Sequence, residues 1–236
     1  MNPVLEIEHL RAWYDRKSLV IRDASFSIHA GEAVGLIGVN GAGKTTMLKA
    51  LCNAHRGYSM KSLRYRGAPV TPATGAFKRQ RYLALAEDSS FSTWSLNTFV
   101  RFLNRAYGNR KRARLLDQLV EGFDFGRYRH TPFGNLSSGS RKKANLIAAL
   151  YVQVDILFLD EPVDFLDFSA TEYLYQCIVA AAEHGQSVLL SSHIAESFTR
   201  CTSRLYILSA GVLSSPLATP AESHDVVSLI SQPDSH

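Results

Sequence analysis

A glycine-rich stretch, Gly38-Val-Asn-Gly-Ala-Gly43-Lys44-Thr45, stands between a short apolar run and an amphipathic one. That placement limits the chain to few architectures. Residues 34–37 are apolar and short, as a buried strand is. Residues 44–51 put Met47, Leu48 and Leu51 at helical spacing. The glycines let the backbone curl until successive N–H groups point inward, and the following helix turns its positive end to the same spot. Such a loop holds an anion, and the spacing GxxxxGK[ST] is that of a nucleotide phosphate cradle. The candidate contacts are Gly38, Asn40, Gly41, Ala42, Gly43, Lys44, Thr45 and Thr46. Lys44 is placed to reach the β- and γ-phosphates, and Thr45 to offer its hydroxyl to Mg²⁺.

A second apolar run, residues 156–159, ends in Asp160-Glu161. Its continuity predicts a central parallel strand. A carboxylate at that strand's end can hold magnesium, which is the role expected of Asp160. Glu161 follows where the chain turns, so it can face an attacking water as base or orienter.

The rest of the chain repeats the same alternation. Residues 4–8, 24–28, 187–190 and 205–208 read as strands, and residues 170–183 as a helix. Strands alternating with helices predict an α/β protein with a mostly parallel sheet covered on both faces. Between residues 87 and 135 the pattern changes. Residues 96–107 and 111–123 read as amphipathic helices, which suggests a helical subdomain inserted at about 88–150. Residues 214–236, rich in Ser, Pro and His, read as a short C-terminal extension, partly disordered, after a single cassette over 1–213.

Bulk properties exclude other classes. At 236 residues with 46% hydrophobic and 20% charged content, the chain reads as globular. A net charge of +5 is too mild to argue a nucleic-acid partner. Cys52, Cys177 and Cys201 lie far apart without a CxxC pair, which argues buried thiols, not a disulfide frame or zinc site. The longest apolar stretch, residues 146–159, falls short of the roughly 18–20 residues of a membrane span and contains Gln153 and Asp155. Any service at a membrane is therefore expected to run through a partner.

Other motifs narrow the choice. Leu136-Ser137-Ser138-Gly139-Ser140, followed by Arg141, Lys142 and Lys143, resembles the LSGGQ signature of ABC ATPases. Val163-Asp164-Phe165-Leu166-Asp167 resembles their D-loop, and His193 after Ser191-Ser192 resembles their H-switch. Trp13-Tyr14 resembles their aromatic A-loop, with Tyr14 the better spaced of the two to stack on adenine. The resemblance implies a P-loop NTPase core, an N-terminal antiparallel β subdomain and an inserted α-helical subdomain. It also implies a head-to-tail dimer, a homodimer or a pair with a related ATP-binding subunit. ATP would lie between the P-loop of one subunit and Ser137 and Gly139 of the other. His193 would then contact the γ-phosphate, and Asp167 would bridge the dimer.

Three positions depart from the family pattern. Ser138 stands where the signature has glycine, Ser140 where it has glutamine, and Glu87 where a magnesium-coupled glutamine is usual; Glu87 can still ligand Mg²⁺ through water. The resemblance further implies separate transmembrane permease subunits and a place at the inner face of the cell membrane. The NGAGKTT form and the basic residues after the signature look most like exporter subunits of the ABC-2 type. A non-transport ABC ATPase of the iron–sulfur assembly kind is the alternative. Phe91, Trp94, Leu96, Phe99 and Phe102 crowd the start of the insert and read either as its core or as a partner groove. The basic run Arg101, Arg105, Arg110, Lys111, Arg112 and Arg114 reads either as a solvated face or as attraction to anionic lipid.

Overall fold

The computed structural model describes residues 3–15, 18–86, 90–108 and 112–231, and it opens with an antiparallel hairpin of β1 (Leu5–Asp15) and β2 (Ser18–Ile28). Strand β3 (Ala33–Ile37) then runs into the glycine loop and helix α1 (Lys44–Leu51). Short strands β4 (Tyr58–Ser59), β5 (Ser62–Tyr65) and β6 (Ala68–Pro69) return to the hairpin, so β6, β5, β1 and β2 lie side by side. One turn of helix, α2 (Gly75–Lys78), leads to β7 (Arg81–Ala84). Three helices follow: α3 (Leu96–Tyr107), α4 (Ala113–Gly122) and α5 (Ser138–Val152). The chain then alternates through β8 (Ile156–Asp160), α6 (Phe168–Glu183), β9 (Ser187–Ser192), α7 (Ala195–Cys201) and β10 (Arg204–Ser209). It closes with β11 (Val212–Leu213), β12 (Leu217–Ala218) and α8 (Ser223–Ser231).

The parallel part of the sheet has the order β10-β3-β9-β8-β7. Its central strands β3, β9 and β8 are buried on both faces, and their alternation splits the core in two. Leu157, Leu159, Val188 and Leu190 face the cluster formed with α3, α4, α5 and α6. Ile156, Phe158, Leu189, Val34 and Leu36 face the opposite cluster, with α1 and the β1–β2 hairpin. The helices α3 and α4 pack on α5, so Leu96, Phe99, Val100 and Leu103 join the first cluster.

Local chemistry sets several boundaries. Helix α5 starts at Ser138 because Ser137 caps it: its Oγ accepts from Ser140 N at 3.2 Å. Asp167 caps α6 in the same way, its Oδ1 accepting from Ala170 N at 2.9 Å. The two hairpin strands are longer than their apolar patches because β-bulges let polar residues continue the ladder. The C-terminal segment expected as an extension is structured through Ser231: β12 pairs with β10, and Val226 of α8 is buried with Ile37, Phe198 and Leu205. The three cysteines are free, and burial pushes the Cys201 thiol up to about 12.

Gly35 in β3 makes room for this last cluster. A Cβ there would stand 2.4 Å from Leu205 Cδ2 and 2.5 Å from Phe198 Cδ1. Both neighbours are fully buried, so they cannot swing aside. We expect Gly35→Ala to cost about 1–3 kcal/mol through overpacking, read as a lower urea midpoint with an unchanged slope.

Candidate active site

Strands β3, β9 and β8 are adjacent and parallel, so their C-terminal ends share one edge of the sheet. Ile37 pairs with Ser192, and Ser191 with Asp160. The residues just beyond, Gly38, His193 and Glu161, therefore converge from distant parts of the chain. Ligands of open α/β sheets bind at this edge.

The glycine loop leaves β3 and turns through Gly41 (φ 84°) and Gly43 (φ 106°), conformations that side chains disfavour. Behind Gly43, Ile21 Cδ1 lies 2.7 Å from where a Cβ would be, so β2 backs the loop closely. Lys44 is only 6% exposed. Its Nζ curls back to donate to the Gly38 carbonyl at 2.7 Å and pairs with Glu161 Oε1 at 3.1 Å. The loop is thus braced around its own lysine. Asn40 and Gly41 form its exposed rim.

Next to it, Thr45 Oγ1 donates to Asp160 Oδ2 at 2.8 Å, and Ser191 Oγ donates to Oδ1 at 2.8 Å. Asp160 is 1% exposed, so these donors replace water around its charge. A carboxylate and a hydroxyl in contact are the hard oxygen donors that Mg²⁺ takes, so the residues present fit that ion.

Glu161 lies between two partners. Oε1 pairs with Lys44, while Oε2 accepts from the His193 backbone N–H at 3.1 Å and lies 2.9 Å from His193 Nδ1. Its φ of 43° places it in the left-handed region, which costs a non-glycine residue about 1–2 kcal/mol. Its N–H donates to Ser191 O at 3.1 Å, which helps to hold that turn. Asp164 closes the far side: one ligand atom each of Glu161, Asp164 and His193 lies within 4.8 Å of the others. Burial first, and the Glu161 charge second, push the Asp164 carboxyl above its ordinary range.

A family model described as ABC transporter matches residues 21–164. The chain belongs to the ABC transporter family. It is 28% identical over 201 residues to the putative ABC transporter ATP-binding protein AlbC of Bacillus subtilis, covering 84% of each. It is 32% identical over 197 residues to Nod factor export ATP-binding protein I of Burkholderia orbicola, covering 82% of this chain and 64% of that one. Its fold superposes on a solved ATP binding subunit of an ABC transporter with a TM-score of 0.83 at 25% identity, covering 91% of this chain and 90% of the other. A nucleotide-free ATP-binding cassette from an ABC transporter gives a TM-score of 0.77 at 13% identity, a likeness of fold alone. The chain is an ABC ATP-binding cassette, and such cassettes are ATPases.

The remaining motif residues of this ABC cassette each have partners nearby. Tyr14 is 75% exposed and leans on α1, its hydroxyl 3.3 Å from Thr46 Oγ1. His55 braces the Tyr14 ring edge-on at 5.1 Å, whereas Trp13 packs against Gly57. Ser137 keeps its hydrogen bonds within its own turn, with Ser140. Gly139 lies against the D-loop: the Phe165 carbonyl oxygen is 2.7 Å from where its Cβ would be. Ser138, which replaces a glycine of the signature, presents an exposed side chain. Asp167 pairs with Lys143 at 2.6 Å, and that hydrogen bond, then the Ala170 N–H, holds its carboxyl below the ordinary range. Glu87 lies outside the described residues, as do Arg110 and Lys111.

Sequence reasoning does not single out Ser191, Asp164, His55 or Lys142. In sequence Ser191 is only part of a strand end, and its contact with Asp160 depends on strand register. Asp164 is one residue of the D-loop, and Lys142 one of a basic run. Lys44→Ala would remove the ammonium that organises the loop. We expect ATP affinity to fall by about 1.5–3 kcal/mol, or roughly 10- to 150-fold, by titration calorimetry.

Proposed function

We propose that this chain is the ATP-hydrolysing subunit of an exporter whose transmembrane domain is a separate chain, and that it works at the inner face of the cell membrane. The observation that carries this reading is the divided aromatic patch on the inserted helices. Leu96 and Phe99 are buried, but Phe91, Trp94 and Phe102 stack together at the surface, with Phe91 and Phe102 exposed. The patch lies on the same helical layer as α5, which the signature begins. Arg101 and Arg105 are exposed on α3 beside it, suited to anionic headgroups near a membrane partner. Among the described residues no helix is long and apolar enough to cross a membrane. The Burkholderia orbicola relative is named for Nod factor export, which supports outward transport.

In the mechanism we infer, the γ-phosphate takes Lys44 from Glu161. Freed of that pair, the Glu161 carboxylate accepts the proton of the attacking water as the new P–O bond forms and the bond from the γ-phosphorus to the bridging oxygen breaks, so that phosphate and ADP leave. His193 keeps Glu161 aimed through its backbone N–H and ring, and its exposed edge faces the γ-phosphate. Tyr14 stacks on adenine. Thr45 and Asp160 would hold Mg²⁺, which neutralises charge on the phosphates when bound. A second subunit supplies Ser137 and Gly139 to close the site, and Asp167 leaves Lys143 to bridge the pair. If the partner is a related chain and not a second copy, one of the two sites can carry Ser138 and Glu87 with little loss.

Glu161→Gln is expected to bind ATP and remain dimeric while turnover falls about 10²- to 10⁴-fold; wild-type phosphate release would remove Glu161 from the role of base. His193→Ala is expected to bind nucleotide but hydrolyse it slowly in the same assay. Purification from native cells in mild detergent, with mass spectrometry of what co-purifies, tests the whole reading. We expect a stoichiometric multi-span membrane protein. Soluble partners alone, across several detergents, would support the non-transport alternative.

A further inference from the structure

We infer that Lys142 is a positioning residue for ATP hydrolysis: it holds the backbone of Glu161 and ties it to the loop that leaves β7 for the helical layer. Lys142 lies in the second turn of α5, yet it is only 4% exposed. Its neighbours in sequence behave differently: Arg141 is partly exposed, and Lys143 pairs with the exposed Asp167.

The Lys142 ammonium is aimed at carbonyl oxygens. It donates to Glu161 O at 2.7 Å, to Ala86 O at 3.1 Å and, more weakly, to Asp160 O at 3.4 Å. An ammonium can donate to several acceptors at once. A buried cation needs such partners, so the position is built for charge.

The target of this contact matters. Glu161 turns through a left-handed φ of 43° between the strand end and the D-loop. Its N–H is fixed by Ser191 O at 3.1 Å, and its C=O by Lys142. With both peptide groups held, the carboxylate can stand between Lys44 and His193. The third acceptor, Ala86 O, lies just beyond β7 on the way to α3. A shift of the helical layer against the sheet must therefore move Lys142, Ala86 or Glu161. Lys142 joins the signature helix, that loop and the general base at one nitrogen.

This inference rests on the reading of Glu161 as the base, and the test separates the two. Lys142→Met, Lys142→Gln, Glu161→Gln and the double variant Lys142→Met/Glu161→Gln would be made in the full chain. ATP affinity, KM, kcat and the thermal midpoint would be measured for each. We expect Lys142→Met to lower kcat about tenfold or more, as slight misplacement of a catalytic group does, with ATP affinity within about twofold of wild type. Lys142→Gln, whose amide can still donate to carbonyls, should recover part of the rate. The double variant should be no slower than Glu161→Gln, because a positioning residue has nothing left to position.

A wild-type kcat in Lys142→Met, with Glu161→Gln slow, would overturn the inference alone. So would a rate loss that adds in full to that of Glu161→Gln. Parallel loss of thermal midpoint and ATP affinity in both Lys142 variants would show a merely structural lysine. Wild-type turnover in Glu161→Gln would overturn the reading of the base, and this inference with it.

Discussion

Parallel pairing of β3, β9 and β8 is the constraint on which the site depends. Side-by-side register puts three strand ends within reach of one another. The segment after β3 curls around Lys44, the one after β9 presents His193, and the end of β8 presents Asp160 and Glu161. A one-residue slip of β8 would turn Asp160 away from Thr45 and Ser191, because strand side chains alternate faces. Burial on both faces prevents that slip. Ile156 and Phe158 belong to one core, and Leu157 and Leu159 to the other.

The charges of the site satisfy one another. Lys44 pairs with Glu161 at 3.1 Å, and Thr45 and Ser191 hold Asp160. A buried lysine or carboxylate left alone would be costly, so these contacts keep the polar groups in place. The same logic extends outward. Asp167 is occupied by Lys143 and by the N-terminal end of α6, and Lys142 by backbone carbonyls.

The fold was legible wherever apolar periodicity was strong. Helices α1 and α3 begin and end where the spacing of Met47, Leu48 and Leu51, and of Leu96, Phe99, Val100 and Leu103, places them. The strands β4, β6, β11 and β12 are two residues each, too short to show a period, and they form because a neighbouring strand offers an edge. The aromatic group near residues 91–102 could be read two ways from sequence, and the structure divides it: Phe99 is core, and Phe91 and Phe102 are surface. Helical spacing alone could not place Phe91, which precedes α3 in a left-handed turn.

The glycine loop, the acidic strand end and the family can be read without coordinates, because each rests on local residue chemistry at fixed spacing. Glycines must precede Lys44, and a carboxylate must follow an apolar strand, whatever surrounds them. Tertiary structure alone decided which groups meet across the gaps. That Lys44 pairs with Glu161, that Ser191 serves Asp160 and that Lys142 points inward to Glu161 and Ala86 follow from strand register and the packing of α5. Such contacts join residues far apart in the chain, and nothing in the spacing of a basic run says which lysine turns to the core.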